Sequence, residues 1–173
     1  MQRIILKYTI FLVTLMASSH AMAQSEDALL QQLSSAETND LANGVSVTQH
    51  GTRNEAYVMQ ATQTNTSAIE VLQAGAQNQI QLMQTGEYIS IHVNQDGRGN
   101  IYEGDLEGQD ARIDITQGGS ENIIFQSLIL NNAGISINQH GHGNEVIHTG
   151  TATNSGIQIQ QQGSGMKVII QTN

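Results

Sequence analysis

The sequence predicts an all-β protein: a β-solenoid of six coils of about 22 residues, each strand, turn, strand, turn, which together form two stacked parallel sheets. Two observations support this prediction. A glutamine recurs with a period of 22 residues, and within each period apolar and polar residues alternate. A fixed period in this range is typical of stacked supersecondary units, and a period of two is that of a strand. Each unit is too small to bury a core alone, so the units must stack.

The composition excludes several classes of protein. The chain of 173 residues has no Cys, Pro or Trp, and only 3% of its residues are aromatic. It therefore has no disulfides and no Cys-ligated metal. Its formal net charge of -9 argues against nucleic acid, whose phosphates require a cationic surface. We find no nucleophile elbow and no phosphate-binding loop, so we expect no enzymatic activity, no cofactor and no small-molecule substrate.

The first element is a predicted signal peptide, residues 1–23. Arg3 and Lys7 precede a short apolar stretch, and residues 21–23 form a small-x-small cleavage site. The mature chain would start at Gln24 and carry 4 Lys+Arg against 15 Asp+Glu. Residues 24–42 are acidic, and we expect them to be flexible or to form a short helix near residues 27–36. The repeats occupy residues 43–173.

Three columns of residues define the repeats. The recurring glutamines are Gln49, Gln73, Gln95, Gln117, Gln139 and Gln161. The glycines two residues later are Gly51, Gly75, Gly97, Gly119, Gly141 and Gly163. The asparagines five residues after the glutamines are Asn54, Asn78, Asn100, Asn122 and Asn144, with Met166 in the last unit. The glycines indicate a turn that needs a positive φ.

The strands lie on either side of this turn. In the second unit, residues 67–73 alternate, residues 74–77 turn the chain, and residues 78–84 alternate again. The first strands place β-branched residues on one face in every unit: Val45/Val47, Ile69/Val71, Ile91/Val93, Ile113/Ile115, Ile135/Ile137 and Ile157/Ile159. Such residues suit a half-buried pleated surface. The glutamine and asparagine columns share this inward face.

Stacked inward amides can donate to one neighbouring coil and accept from the other. An unpaired buried amide costs about 1 to 3 kcal/mol, so such an amide ladder fixes the register of the coils. We assign the ladder and self-assembly to the glutamine and asparagine columns, together with Gln60 and Gln84 at the end of the first two second strands.

This pattern resembles the curlin repeat, Ser-x5-Gln-x4-Asn-x5-Gln. Residues 67–84 match it in full, and residues 43–60 match all but the serine. Later copies depart at the last position, where Leu106, Leu128, Gly150 and Thr172 replace Gln, and Met166 replaces Asn in the final copy. The resemblance covers about residues 43–173. It implies an extracellular functional amyloid, exported through the periplasm to the bacterial surface as a curli-type fibre (pilus) with roles in adhesion and biofilm.

The resemblance favours the minor, nucleating type of curlin subunit. The degenerate copies and the acidic segment 24–42 are unlike the major type. The implied partners are the major subunit, further copies of the chain, and outer-membrane secretion and assembly factors. The last coil, with Met166 and Lys167, is a candidate for surface attachment, although the sequence does not decide which end templates growth. A major fibre subunit and a capped solenoid adhesin remain alternatives.

Other polar residues have simpler interpretations. The acidic residues in 103–110 and the pair His140/His142 could contribute to a metal site, but solvated charge and turn histidines are the preferred readings. Glu145 and Lys167 are predicted to meet on the outward face of neighbouring coils. His148 falls on the inward parity, beside Gln126 and Ile170 of the adjacent coils.

Overall fold

The computed structural model describes residues 9–16, 43–62 and 67–173. The ten strands are β1 (Thr9–Met16), β2 (Asn43–Thr52), β3 (Glu55–Thr62), β4 (Ser67–Ala76), β5 (Gln79–Arg98), β6 (Ile101–Ser120), β7 (Ile123–His142), β8 (Glu145–Thr153), β9 (Gly156–Ser164) and β10 (Lys167–Thr172). No helix in these ranges could span a membrane. The predicted segment 24–42 with its short helix, and most of the predicted signal peptide, lie outside the described residues.

The repeats form the predicted β-solenoid. Strands β5, β6 and β7 pair in parallel with an offset of 22 residues, so that Gln95 lies beside Gln117 and Gln117 beside Gln139. Strands β2 and β4 pair with an offset of 24, because the first coil is two residues longer. We call the sheet formed by the first strands of the coils wall one; it contains β2, β4, residues 90–98, 112–120 and 134–142, and β9. Wall two is formed by the second strands and contains β3, residues 79–87, 101–109 and 123–131, β8 and β10.

The two kinds of corner differ along β5, β6 and β7, where only one of them is a break between strands. The corner that contains the repeat glycine interrupts the strands. At the other corner, β5, β6 and β7 bend without a break and keep their pairing with the neighbouring coil. Gly86 and Gly108 take positive φ there, as do Tyr88 and Asp110 two residues later. Since successive coils bend in the same way, the interstrand hydrogen bonds continue from wall two into wall one.

The core lies between the walls and contains the predicted aliphatic columns. Ile69, Val71, Ile91 and Val93 are buried, as are Ile113, Ile115, Ile135 and Ile137. Val45, Val47 and Ile157 in the terminal coils are partly buried against them. The described core contains no carboxylate and no Lys or Arg; its polar members are Asn, Gln, Ser, Thr and one His.

Strand β1 lies within the predicted signal peptide and pairs differently from all the others. It runs antiparallel to β3, with Thr9 opposite Thr62 and Met16 opposite Glu55. The parallel strand β5 occupies the other edge of β3. The first coil is therefore covered on wall two by β1. Cleavage after residue 23 remains a prediction.

Candidate assembly interface

The glutamine column forms an unbroken series of side-chain hydrogen bonds. Gln73 Nε2 donates to Gln95 Oε1 at 2.8 Å, and the series continues through Gln117, Gln139 and Gln161 at 2.8–3.0 Å. Gln49 Nε2 donates to Gln73 Oε1 at the N-terminal end. Every donor points toward the C-terminal coil. The six predicted glutamines of this column therefore constitute one polar ladder along the solenoid.

The same glutamines also join the two walls. The second Nε2 proton of Gln95 is given to the backbone oxygen of Gln79, at 3.1 Å. Gln117, Gln139 and Gln161 make the corresponding bonds to Ile101, Ile123 and Glu145. These carbonyls open the second strands of wall two. Each rung thus fixes both the register between coils and the position of one wall against the other.

The asparagine column runs with the opposite polarity. Asn100 Nδ2 donates to Asn78 Oδ1 at 3.2 Å, and Asn122 and Asn144 continue the series at 3.0 Å. These donors point toward the N-terminal coil. Each Oδ1 also accepts the backbone N–H of the next residue in the column, as Asn78 Oδ1 does from Asn100 N at 3.1 Å. The asparagines therefore satisfy the backbone at the corner where the chain turns.

The glycines at this corner have the predicted positive φ, from +101° at Gly119 to +136° at Gly163. Close packing between coils restricts this position to glycine more strongly than the positive φ does. A Cβ on Gly97 would lie 2.0 Å from the backbone oxygen of Gly119 in the next coil. A side chain therefore cannot be accommodated at this position without separating two coils.

The predicted rung between Gln60 and Gln84 is absent, so this part of the amide prediction is wrong. Both side chains are buried, but neither polar atom of the Gln60 amide has a hydrogen-bond partner among the described residues. Gln84 Nε2 donates to the backbone oxygen of Gly86 at 3.2 Å. The next residue in this column is Leu106, which has no acceptor. A column with only two amides cannot form a continuous ladder.

A second buried polar group, which sequence reasoning largely missed, lies in wall two. Tyr102 Oη donates to Gln126 Oε1 at 3.0 Å, and both residues are fully buried. Gly104 makes space for the ring, since a Cβ there would lie 2.6 Å from Tyr102 Oη. Burial raises the pKa of Tyr102 well above its usual range. A lone inward glycine two residues from an inward tyrosine was the available signal.

His148 lies beside Gln126 and Ile170, as predicted from its parity. Its side chain is completely buried, and neither ring nitrogen has a hydrogen-bond partner within the described part of the chain. Burial lowers the pKa of His148 below its usual range, because the apolar surroundings disfavour the imidazolium. Protonation of His148 is therefore less favourable in the folded protein than in the unfolded chain.

The outward surface carries scattered ion pairs. Lys167 Nζ lies 2.9 Å from Glu145 Oε1, which confirms the predicted pair between neighbouring coils. Arg112 pairs with Asp114, and His92 lies 3.2 Å from Glu70. No group of three or more His, Asp or Glu in the described ranges is arranged to hold a metal ion. The acidic residues of 103–110 lie on the outside of wall two and its corner.

The two ends of the ladder are not equivalent. At the N-terminal coil, Gln49 Oε1 is buried and has no partner in the described structure. At the C-terminal coil, where no further glutamine of this column follows, Gln161 Nε2 also donates to the backbone oxygen of Met166 at 3.1 Å. Asn144 Oδ1 accepts the Met166 N–H at 3.1 Å, but Met166 offers no side-chain oxygen to a further coil. One end has an unpaired amide acceptor, and the asparagine column stops at the other end.

Comparison with known proteins found one repeat family that matches part of this chain. Residues 42–75 match the curlin associated repeat, a stretch that covers the first coil and the first strand of the second. No curated protein and no solved structure matches the chain. The repeat is one of structural fibre proteins rather than enzymes and implies self-assembly into extracellular fibres. The chain is thus a β-solenoid similar to the curlin associated repeat family, with an architecture consistent with a curli-type amyloid fibre subunit.

Proposed function

We propose that this protein is the surface-bound nucleator of a curli-type fibre, and that its N-terminal coil is the template on which major-type subunits stack. The observation that carries the proposal is the unpaired acceptor Gln49 Oε1 on that coil. An incoming coil with glutamine at the same position would donate to it and continue the ladder with unchanged polarity. The Oδ1 atom of its asparagine would accept hydrogen bonds from the Asn54 backbone N–H and from Asn54 Nδ2. Asn54 Oδ1 accepts the same two bonds from Asn78.

The C-terminal coil is the poorer template under this proposal. Met166 interrupts the asparagine column, so an incoming coil would find no acceptor for its corner N–H. Wall two of this coil also lacks the last glutamine of the repeat, since Thr172 takes that place. We therefore assign this coil, with Met166 and Lys167, to attachment at the cell surface through assembly factors of the outer membrane.

The edge of β3 adds a condition for templating. An incoming parallel strand and the antiparallel β1 would compete for this one edge. Removal of the predicted signal peptide, residues 1–23, would free it. Nucleation would then begin only after export, and a variant that retains residues 1–23 should seed more slowly than the mature chain.

Seeding of a major curlin tests this proposal. Trace mature protein, residues 24–173, should shorten the lag of a major curlin in solution, and deletion of residues 155–173 should leave seeding largely intact. The same deletion should release fibres from cells. Gln49→Ala should weaken seeding more than Thr52→Ala, an exposed site on the same coil. Loss of seeding with unchanged surface retention in the deletion variant would contradict the assignment of the two ends.

One observation favours a second candidate, a fibre subunit that polymerises on its own. Gln117 Nε2 lies 3.0 Å from both Asn122 O and Gln139 Oε1, so these two acceptors are within reach of one amide. Gln161 Nε2 could likewise donate to Gln49 Oε1 of a following copy and keep its hydrogen bond to the oxygen of Met166. Long fibres from the pure protein, without the ability to seed at trace amounts, would favour this candidate.

A further inference from the structure

The outer surface of wall two carries apolar side chains that the solenoid itself does not use. Ile123, Phe125 and Ile169 are 41%, 39% and 65% exposed, although they lie on regular strands. Ile101 and Ile147 lie beside them and are half-buried. We call these five residues the apolar face. The equivalent outward column of wall one is polar, with Glu70, His92 and Asp114 at its centre.

The pairing register makes the apolar face contiguous. Ile101 and Ile123 are neighbours in one column, and Phe125, Ile147 and Ile169 are successive members of the column two residues further along. The coils are about 4.8 Å apart, so the face extends over coils three to six on a pleated wall. Scattered exposed apolar residues are ordinary, but a contiguous group on a regular surface indicates an interaction site.

We propose that the apolar face packs against the same face of a second copy of this chain, with the two solenoid axes antiparallel. Two sheets that pack face to face lie about 10 Å apart, and identical pleated surfaces can interdigitate. A twofold axis parallel to the strands, between coils four and five, would place Phe125 of one copy opposite Ile147 of the other. This contact is lateral, between the sides of two stacks, and its detection in fibres rests on the proposed growth at the ends of the stack.

Charge selects the antiparallel arrangement. Lys167 lies in coil six at one end of the apolar face, and Glu103 in coil three at the other. Within the described residues, Glu103 has no ion-pair partner. In the antiparallel arrangement, coil three of each copy faces coil six of the other. Glu103 and Lys167 of the two copies are then offset by about two residues along the strand, a distance that the long lysine side chain can span. A parallel arrangement would bring Lys167 near Lys167 and Glu103 near Glu103.

The size of the face predicts where the pairing would be seen. Five side chains are far fewer than the roughly 20 to 30 residues that each partner contributes to a standard interface. Two single subunits should therefore associate weakly. In a stack of subunits the face repeats along the axis, and many weak contacts act together. We expect pairing between fibres rather than stable dimers of soluble protein.

Substitutions on the two outer surfaces test this inference. In fibres grown from residues 24–173, Phe125→Lys should reduce the ratio of paired to single fibres by about tenfold, because an unpaired lysine would enter an apolar contact. Phe125→Thr, which suits a strand, should act in the same direction. His92→Lys, on wall one, is the matched control and should leave pairing unchanged. Fibre width in electron micrographs gives the ratio, and seeded elongation shows whether the fold and end growth are retained.

The orientation has its own test. Lys167→Glu should reduce pairing, and addition of Glu103→Lys should restore it, whereas Glu145→Gln should have little effect although it removes the intramolecular partner of Lys167. Equal pairing in the wild type, Phe125→Lys and Phe125→Thr would overturn the proposed face. A swap that restores nothing would overturn the antiparallel arrangement. Binding of the wild type, but not Phe125→Lys, to phosphatidylcholine vesicles with unchanged fibre pairing would assign the face to lipid instead.

Discussion

The glutamine ladder makes a prediction whose magnitude follows from the bonds of one side chain. Gln95 is fully buried; it accepts from Gln73 at 2.8 Å and donates to Gln117 at 2.8 Å. Gln95→Leu would keep a side chain of similar size but remove the partner of one donor, Gln73 Nε2, and of two acceptors, Gln117 Oε1 and Gln79 O. Each unpaired buried group costs about 1 to 3 kcal/mol, so we expect a loss of about 2 kcal/mol or more.

The critical concentration for assembly measures this loss when the soluble chain folds as it adds to a fibre end, because it then includes the free energy of forming these bonds within the chain. A loss of about 2 kcal/mol should raise it about 30-fold. Gln60→Leu is the matched control: Gln60 is equally buried, but its amide has no partner, and the same column continues with Leu106. That variant should be neutral or more stable. Similar effects of Gln95→Leu and Gln60→Leu would refute the role of the ladder.

Three further predictions concern the corner and the buried polar groups. Gly97→Ala should prevent assembly, because its Cβ would clash with the next coil, whereas Gly134→Ala should not, because a Cβ there meets no other atom. Thioflavin kinetics would measure both effects. Stability should fall as the pH drops below about 6.5, where the unfolded chain binds a proton that buried His148 resists; His148→Leu should flatten this dependence in denaturant titrations at pH 5 to 7.5. Tyr102→Phe should cost about 1 kcal/mol in the same titrations, since it leaves Gln126 Oε1 unpaired.

The sequence was sufficient for the architecture because one short-range rule repeats six times. The 22-residue period set the register of β5, β6 and β7, and the parity within each strand identified which side chains face the core. The pair between Lys167 and Glu145 followed from the same two rules. Any property determined by position within the period was therefore accessible without coordinates.

Properties that depend on the neighbour in space were not accessible. Opposite donor directions in the glutamine and asparagine columns could not be predicted, because amide orientation depends on which carbonyls lie nearby. The Gln60 to Gln84 rung failed because Gln84 Nε2 donates to the backbone oxygen of Gly86 instead. The continuous corner within β5, β6 and β7 was also missed, since a bend that neighbouring strands share leaves their hydrogen bonding intact and has no distinct residue signal.

In the assembled state, the coils of one chain should stack on each other with a 22-residue period. Solid-state NMR on fibres of isotopically labelled protein, diluted with an excess of unlabelled protein, can detect this stacking. The structure predicts contacts between the side-chain amides of Gln95 and Gln117 that persist on dilution, because they lie within one molecule. Contacts between Gln95 of one molecule and Gln95 of the next, lost on dilution, would contradict the solenoid.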